Sequence, residues 1–419
     1  MMAAVVGLAG CGQHTDCSTG GFGSHGLSNR GVTGSACGSG GGVGSGNGGG
    51  PSAFTALAYD INQAGTVDGI GLTVSSGSGT LQTIPNFTAP TIPTGDPGVG
   101  MVVAQQKFVY AVFEVEQEID GWSIDATTGA LTEITGFPMA VAFTGIPLSV
   151  FNHLFVATNP AGTLLFVSEA GNEQIVVYQI STGGALTPVT GSPFSTGIVE
   201  AGNLATDSQG RFLYVCEDPL DDHTGALMTA FVIQSDGSLT AVPNTPFNFP
   251  MWEVQGDASG NFMIGTSGNS VFVSNVDDDN LYVFSINQQT GELTAVQGSP
   301  FATQFSPFFI ASQPNINGNS FVYSFSFNGG GYNAVEGYAL NTTSGALTAL
   351  SGSPFSNLST SIWGQFDQSG AYLFTYSNIN ASPELGVLNV DSAGALTEPA
   401  STFPLGPSGY WVVTDPPSN

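Results

Sequence analysis

Two acidic loops contain the residues whose type and spacing could bind a metal ion. The acidic residues of these loops are Asp277, Asp278 and Asp279 in one, and Asp218, Asp221 and Asp222 in the other. Closely spaced carboxylate and carbonyl oxygens are the ligands that Ca²⁺ takes in proteins. Neither loop has EF-hand spacing, and aspartate also favours plain turns. A Ca²⁺ site and a simple turn therefore both stay open for each loop, and no other cofactor is expected.

A second set of residues could activate water. His153 could act as a general base, with Glu169 or Asp218 orienting its imidazole ring. The alternative is a loop or channel histidine whose hydrogen bonds are satisfied. Metalloprotease histidine pairs and serine-hydrolase elbows do not occur in the sequence.

One sequence motif recurs seven times, and its repetition determines how these residues are positioned. A leucine opens a short polar run, and Gly, Asn or Ser follows five residues later, usually before Phe or Pro. The leucines are Leu81, Leu131, Leu186, Leu239, Leu293, Leu347 and Leu396, spaced by 50, 55, 53, 54, 54 and 49 residues. A fixed period of this size indicates a repeat architecture.

Each repeat shows four short strand signals separated by turn residues. In the unit around Leu186 they are residues 154–157, 164–168, 175–180 and 186–189. Four antiparallel strands repeated seven times predict an all-β, seven-bladed β-propeller. Pro188 lies in the fourth strand, which suits an outer edge.

The two ends of the chain predict how the ring closes. The repeat of Leu81 has no inner strand of its own, because that strand would fall within a glycine tract. An extra strand, YWVVT at 410–414, follows the last repeat. We expect this C-terminal strand to complete the blade that begins near Phe54, which removes the open edges of the ring.

The composition limits the partners that the chain can bind. Lys and Arg number three (Arg30, Lys107 and Arg211) against 31 Asp and Glu, so the net charge is −28. A polyanion repels the phosphates of nucleic acids and of anionic lipids. We therefore expect no nucleic-acid partner, and membrane contact only through a lipid anchor.

The N-terminus indicates export. Residues 1–11 form a short apolar run ending in LAGC, which is similar to a bacterial lipoprotein signal with Cys11 as the lipidated residue. No Lys or Arg precedes Cys11, which departs from that pattern. If Cys11 is lipidated, Cys17 and Cys37 could form a disulfide in an oxidising compartment. Cys216 lies in a strand and is expected to be a buried apolar residue.

Residues 12–52 form a Gly/Ser-rich head before the propeller of residues 53–419. Such a composition buries too little surface to offset the entropy of ordering it, so the head is expected to be a tether. The alternative is that it becomes ordered only in an assembly, packed against a neighbouring copy.

The repeats resemble the lactonase-like seven-bladed propellers, the group of bacterial 6-phosphogluconolactonase and fungal carboxymuconate cyclase. The matching segments are FLYV at 212–215, VFVSN at 271–275, IVVY at 175–178, LYVFSI at 281–286 and TGALT at 128–132. The resemblance covers about residues 54–414. It implies the propeller fold and suggests a lactonase activity, although propellers support many functions.

The catalytic residues of that family carry over only in part. The family's Arg-His pair aligns with Gly202 and Asn203, whereas its following Glu aligns near Glu217 or Asp218. His153 lies close to the position of another family His. A phosphorylated lactone needs cations at its phosphate, and Lys107 and Arg211 are the propeller's only two.

The sequence therefore favours an exported, non-catalytic propeller at the cell surface or outside the cell. Its expected partners are proteins, glycans or copies of itself, bound through its surface or its Gly-rich head. The alternative is a hydrolase that opens a neutral lactone at the mouth of the central channel.

Overall fold

The structure is a computed structural model of the 419-residue chain. The residues that it describes are 54–62, 66–75, 78–90, 92, 100–113, 116–143, 154–169, 173–198, 201–217, 226–249, 263–275, 279–314, 320–326, 334–355, 358, 363–367, 369–379, 382–398, 402–405 and 408–414.

The strands assemble into seven antiparallel sheets, the blades, in chain order. Blade 1 begins with β1 (Ala56–Asn62), β2 (Thr66–Ser75) and β3 (Ser78–Thr83). Blade 2 contains β4 (Gly100–Ala104), β5 (Phe108–Phe113), β6 (Glu118–Ile124), β7 (Leu131–Glu133) and β8 (Met139–Ala140). Blade 3 contains β9 (Leu154–Thr158), β10 (Leu164–Glu169), β11 (Gln174–Ile180), β12 (Leu186–Pro188) and β13 (Phe194–Ser195).

The remaining blades repeat this pattern. Blade 4 contains β14 (Ala201–Thr206), β15 (Phe212–Glu217), β16 (Ala226–Ile233), β17 (Leu239–Ala241) and β18 (Phe247–Phe249). Blade 5 contains β19 (Met263–Ser267), β20 (Ser270–Asn275), β21 (Asn280–Ile286), β22 (Leu293–Ala295) and β23 (Phe301–Ala302). Blade 6 contains β24 (Pro307–Ser312), β25 (Phe321–Ser326), β26 (Ala334–Leu340) and β27 (Leu347–Ala349). Blade 7 contains β28 (Trp363–Phe366), β29 (Tyr372–Ile379), β30 (Ser382–Val390), β31 (Leu396–Thr397) and β32 (Phe403–Pro404), and β33 (Ser408–Thr414) ends the described chain.

The C-terminal strand closes the ring as predicted. β33 pairs antiparallel with β1, with Tyr59 opposite Val412 and Asp60 opposite Trp411, and so forms the inner strand of blade 1. Inner strands of neighbouring blades contact each other around the complete circle, in the order β33, β4, β9, β14, β19, β24, β28 and β33 again. The seven-bladed propeller predicted from the repeats is confirmed.

The hydrophobic core lies between blades rather than within them. One cluster joins Val102 and Tyr110 of blade 2 to Leu154, Val167 and Tyr178 of blade 3. Equivalent clusters join blades 3 and 4, 4 and 5, and 5 and 6. Each blade buries its apolar faces only against its neighbours, so the ring is the stable unit.

This packing between blades explains why the Gly-Ala-Leu motif is repeated. Gly184 has φ +84°, and a Cβ there would lie 2.6 Å from Ile134 Cδ1 and 2.7 Å from Phe108 Cδ1. Only glycine fits a left-handed backbone pressed so closely against the preceding blade. The leucine that follows opens the fourth strand, as at Leu186 of β12.

A buried tyrosine of the second strand hydrogen-bonds this glycine turn in the next blade. The pairs are Tyr59 Oη to Gly129 O (2.7 Å), Tyr110 Oη to Gly184 O (2.6 Å), Tyr214 Oη to Gly291 O (3.0 Å) and Tyr323 Oη to Gly394 O (2.8 Å). The hydroxyl satisfies a turn carbonyl that packing has removed from water. Four of the blade junctions share this bond.

The Ser-Pro-Phe part of the repeated motif completes the hydrogen bonding along the outer edge of the third strand. Ser192 Oγ accepts the N–H of Val177 at 2.9 Å, and Ser299 and Ser353 accept equivalent third-strand groups. The phenylalanine then pairs with the beginning of the same strand, as Phe194 does with Ile175. The third strand is therefore covered along its length although the fourth strand has three residues.

We predict that Tyr214→Phe destabilises the ring, because it leaves the buried Gly291 carbonyl without its hydroxyl donor. The expected loss is about 1 kcal/mol, measured as a shift of the urea unfolding midpoint. Tyr372→Phe is the control, since no bond of its hydroxyl occurs within the described residues. Equal losses in the two variants would contradict the assigned role of the Tyr214 hydroxyl.

Candidate functional site

Strand order gives the ring two ends that can be told apart by the strands that begin and end there. Second strands end and third strands begin at one end, which we call the carboxylate end after Glu169 and Glu217. The opposite end holds the turns between first and second strands, and we call it the cation end after Lys107 and Arg211.

Glu169 and Glu217 occupy equivalent backbone positions in neighbouring blades. Glu169 is the last residue of β10 and pairs with Leu154 of β9. Glu217 is the last residue of β15 and pairs with Ala201 of β14. Since β9 and β14 are adjacent inner strands, the fold brings these two predicted positions to the same end of neighbouring blades.

Most other predicted site residues lie outside the described residues. They are His153, Asp218, Asp221, Asp222, Asp277, Asp278, Cys11, Cys17 and Cys37. In the sequence, His153 directly precedes β9 and Asp218 directly follows β15.

Asp279 is the described member of the predicted calcium loops, and it has turn contacts. It is exposed with φ +54°, its Oδ1 accepts Ser306 Oγ at 2.8 Å, and its carbonyl accepts the N–H of Thr303 at 2.8 Å. These bonds tie the start of β21 to the chain that follows β23. Within the described ranges, no group of three or more His, Cys, Asp or Glu residues could hold a metal ion.

The positions aligned with the family's Arg-His pair are packed and uncharged. Gly202 and Asn203 lie in β14, and Asn203 is 5% exposed. The carbonyl of Gly202 accepts a 2.8 Å hydrogen bond from Ser168 Oγ of blade 3. These two positions therefore supply a junction between blades and no cation.

The two propeller cations lie at the other end of the ring. Lys107 is exposed in the turn between β4 and β5, and Arg211 lies in the turn between β14 and β15. Arg211 forms an ion pair with Asp207 (3.1 Å), donates to the carbonyl of Gln288 in blade 5 (2.8 Å), and stacks 5.0 Å above the Phe212 ring. Arg211 therefore fastens blade 4 to blade 5.

A cleft of about 410 Å³ opens at the cation end between blades 3 and 4. Several of its polar groups already bond within the protein, as when Gln179 Nε2 donates to the carbonyl of Asp236 at 3.1 Å. Its lining is Asn159, Thr163, Leu164, Gln179, Ile180, Gly210, Arg211, Ile233, Gln234, Ser235, Asp236 and Gly237.

Two buried carboxylates near the carboxylate end were missed by the sequence reasoning. Asp120 of β6 and Glu336 of β26 occupy equivalent third-strand positions, each followed by a glycine. Glu336 accepts the N–H groups of Gln304 (2.9 Å) and Phe305 (3.1 Å) and the hydroxyl of Tyr338 (2.8 Å). It therefore anchors the connection between blades 5 and 6. The acid-glycine pair within an apolar strand was the available signal.

Asp120 has the opposite electrostatic environment. It is 5% exposed, and burial, with the added repulsion of Glu133 and Glu118, raises its pKa to about 6. Burial disfavours the charged carboxylate, and no cation of the described residues offsets that cost. The ionised form of Asp120 is therefore a source of instability at neutral pH.

We predict that Asp120→Asn stabilises the protein at neutral pH. The raised pKa means that the contribution of Asp120 to stability is complete below about pH 4 and is lost as the pH rises through about 6. The variant should gain about 1–3 kcal/mol above pH 7, measured as melting temperature against pH.

Asp236→Asn is the control of opposite sign. Hydrogen bonds from Ser238 lower the pKa of this exposed carboxyl, so its contribution is present at neutral pH and disappears in acid. A pH-independent gain in Asp120→Asn would contradict the ionisation of Asp120 as the cause.

The described part of the chain contains no helix that is long and apolar enough to cross a membrane.

The family model described as "Lactonase, 7-bladed beta-propeller" matches residues 74–218 and 188–309. Together these matches cover 74–309, which is more than half of the 419 residues.

Curated relatives agree with this family match. The 6-phosphogluconolactonases of Yersinia pestis and Yersinia pseudotuberculosis are 27% identical over 150 residues, which are 35% of this chain and 41% of those proteins. The chain thus spans about two fifths of the length of these curated relatives.

Solved structures show the same fold at low identity. A structure from Bacteroides uniformis, described as a candidate 6-phosphogluconolactonase, has TM-score 0.59 and 15% identity, covering 85% of this chain and 98% of that one. A protein from Lactobacillus plantarum has TM-score 0.58 and 13% identity, covering 86% and 99%. On the family match and the seven closed blades, this chain belongs to the seven-bladed β-propeller lactonase family.

Proposed function

We propose that this propeller is exported and acts through surface contacts with proteins, glycans or copies of itself, without catalysis. The observation that carries the proposal is that both propeller cations lie at the end of the ring opposite to Glu169 and Glu217. Glu169 and Glu217 end their strands at the carboxylate end, whereas Lys107 and Arg211 lie at the cation end. Gly202 and Asn203, next to the carboxylate end at the start of β14, stand where the family resemblance implies a cationic pair.

The position of the two cations argues against a phosphorylated substrate. The named relatives are 6-phosphogluconolactonases, and a sugar phosphate at the carboxylate end would lie far from both propeller cations, Lys107 and Arg211. Opening a lactone also requires donors that stabilise the developing oxyanion. Arg211 is committed to Asp207 and Gln288 at the other end of the strand.

Export is supported by the N-terminal sequence. The apolar run before Cys11 resembles a lipoprotein signal, and a cation-poor surface offers few sites to trypsin-like proteases. We predict that the mature protein begins at a lipidated Cys11, as measured by intact mass spectrometry of the exported protein. An exported protein that retains Met1 would contradict the anchor.

We predict no lactonase activity in the purified full chain. Hydrolysis of 6-phosphogluconolactone and of a panel of neutral sugar lactones should match the uncatalysed rate, followed by pH-stat titration. A double variant, Glu169→Gln with Glu217→Gln, should hydrolyse no more slowly than the parent.

Turnover that this double variant abolishes would refute the non-catalytic proposal. Lys107→Gln serves as the matched control, because Lys107 lies at the cation end and is exposed. An activity lost in both variants would indicate a general charge effect rather than a site at the carboxylate end.

The second candidate function is hydrolysis of a neutral lactone at the carboxylate end. The equivalent placement of Glu169 and Glu217 in neighbouring blades, together with the family, favours it. In that mechanism His153 is the general base, and Glu169 or Asp218 orients it. Loss of neutral-lactone turnover in His153→Ala, with the fold intact, would support this candidate.

A further inference from the structure

Blade 1 has an outer edge unlike those of the other six blades. Its outer strand β3 has six residues and pairs along its whole length with β2, from Ile70 opposite Thr83 to Ser75 opposite Ser78. The outer strands of the other blades have two or three residues. An edge of six residues is long enough to align an added strand, whereas edges of two or three are not.

The chemistry of β3 also leaves its edge unprotected. The outer strands of blades 2, 3, 5 and 7 include or adjoin Glu133, Pro188, Glu292 and Glu398, and charge and proline discourage strand addition; β17 and β27 are uncharged and limited by their length alone. β3 has the sequence SGTLQT, with no charge and no proline, and Thr80, Gln82 and Thr83 are exposed. Such an edge is suited to β-augmentation by an extended segment.

We propose that β3 accepts an extended strand from the N-terminal segment, residues 12–53, of a second copy of this chain. The sheet of blade 1 would then continue into the neighbouring subunit. This inference rests on the proposed contact function and names its partner and its surface.

Charge favours this segment over the propeller body as the occupant. Before Phe54, Asp16 is the one acidic residue and Arg30 the one Lys or Arg, so the segment is neutral. The whole charge of −28 therefore belongs to the rest of the chain. Two propeller bodies repel each other, whereas a neutral segment approaches the ring without that cost.

The place where the segment joins the ring favours a link between copies. The N–H of Thr55 bonds the carbonyl of Leu72, which lies opposite Leu81 of β3. The segment therefore joins blade 1 about 10 Å, two strand spacings, from its own β3 edge. Extended, residues 12–53 span on the order of 140 Å. That length is ample for a connection to another propeller, and the isotope-labelled crosslinking below separates this link from one within a single copy.

Sedimentation of the full chain and of a variant lacking residues 12–53 tests the proposal. The full chain should form multimers, and the shortened chain should remain monomeric at the same concentration. The edge variant Thr80→Glu with Gln82→Glu should weaken association about tenfold or more, because charge on an edge opposes strand addition. Thr240→Glu with Ala241→Glu places the same charge on the short β17 and should leave association unchanged.

A photo-crosslinking residue at Gln82 identifies the occupant in a mixture of ¹⁴N- and ¹⁵N-labelled full chains. Crosslinks from β3 of one isotope to residues 12–53 of the other are expected. Crosslinks within one copy, or to another propeller's strands, would overturn the proposal, and so would a monomeric full chain. A monomer without lactonase activity would refute this inference alone, whereas an active multimer would refute the non-catalytic function alone.

Discussion

Burial of blade faces against neighbouring blades is the interaction on which the rest of this structure depends. The apolar clusters join residues of adjacent blades, as Tyr110 of blade 2 joins Tyr178 of blade 3. A single four-stranded sheet would leave both faces in water, so no blade is stable alone. The ring gives every blade two neighbours, and the pairing of β33 with β1 supplies the last of them. The closing strand therefore contributes to the stability of blades that it never touches.

The sequence could predict the features that local chemistry repeats in each blade. Gly184 must be glycine because its backbone is left-handed and a Cβ would meet Phe108 and Ile134. Leu186 then marks the start of the fourth strand at a constant distance. These constraints act within one repeat and its immediate neighbour, so the period predicted the blade number and the strand signals predicted the strand order. The strand signals at the two chain ends predicted the closure.

The features that the sequence reasoning missed depend on which side chains of different blades meet. Arg211 and Gln288 are 77 positions apart, and nothing local indicates that they bond. Asp120 and Glu336 share a strand position but differ in what surrounds them. Glu336 receives two backbone N–H groups from the connection between blades, whereas Asp120 faces two further carboxylates. A strand pattern shows that an acid is buried, but only the packed ring shows whether donors reach it.

The same scaffold keeps its few cations away from its acids at the carboxylate end. Because the first strand runs from the carboxylate end to the cation end, a residue in the following turn is fixed about a strand length, some 15–20 Å, from that end. Lys107 and Arg211 both follow first strands, so chain direction rather than side-chain flexibility sets their place. Arg211 is further held by Asp207, 2% exposed, and by Gln288. The carboxylate end therefore lies a strand length away from both propeller cations.

Ring closure removes inner edges but leaves one outer edge on each blade. Six blades limit that edge with a fourth strand of two or three residues, and in several of them a Ser or Thr hydroxyl and a returning segment cover the third strand, as Ser192 and Phe194 do in blade 3. Blade 1 is the one assembled from both ends of the chain, and its β2–β3 hairpin is paired over six residues. The position where the chain enters the ring is thus also the position where the rim can extend. Its edge is uncharged and, with six residues, the longest of the seven outer strands, so another backbone can align along it with little repulsion.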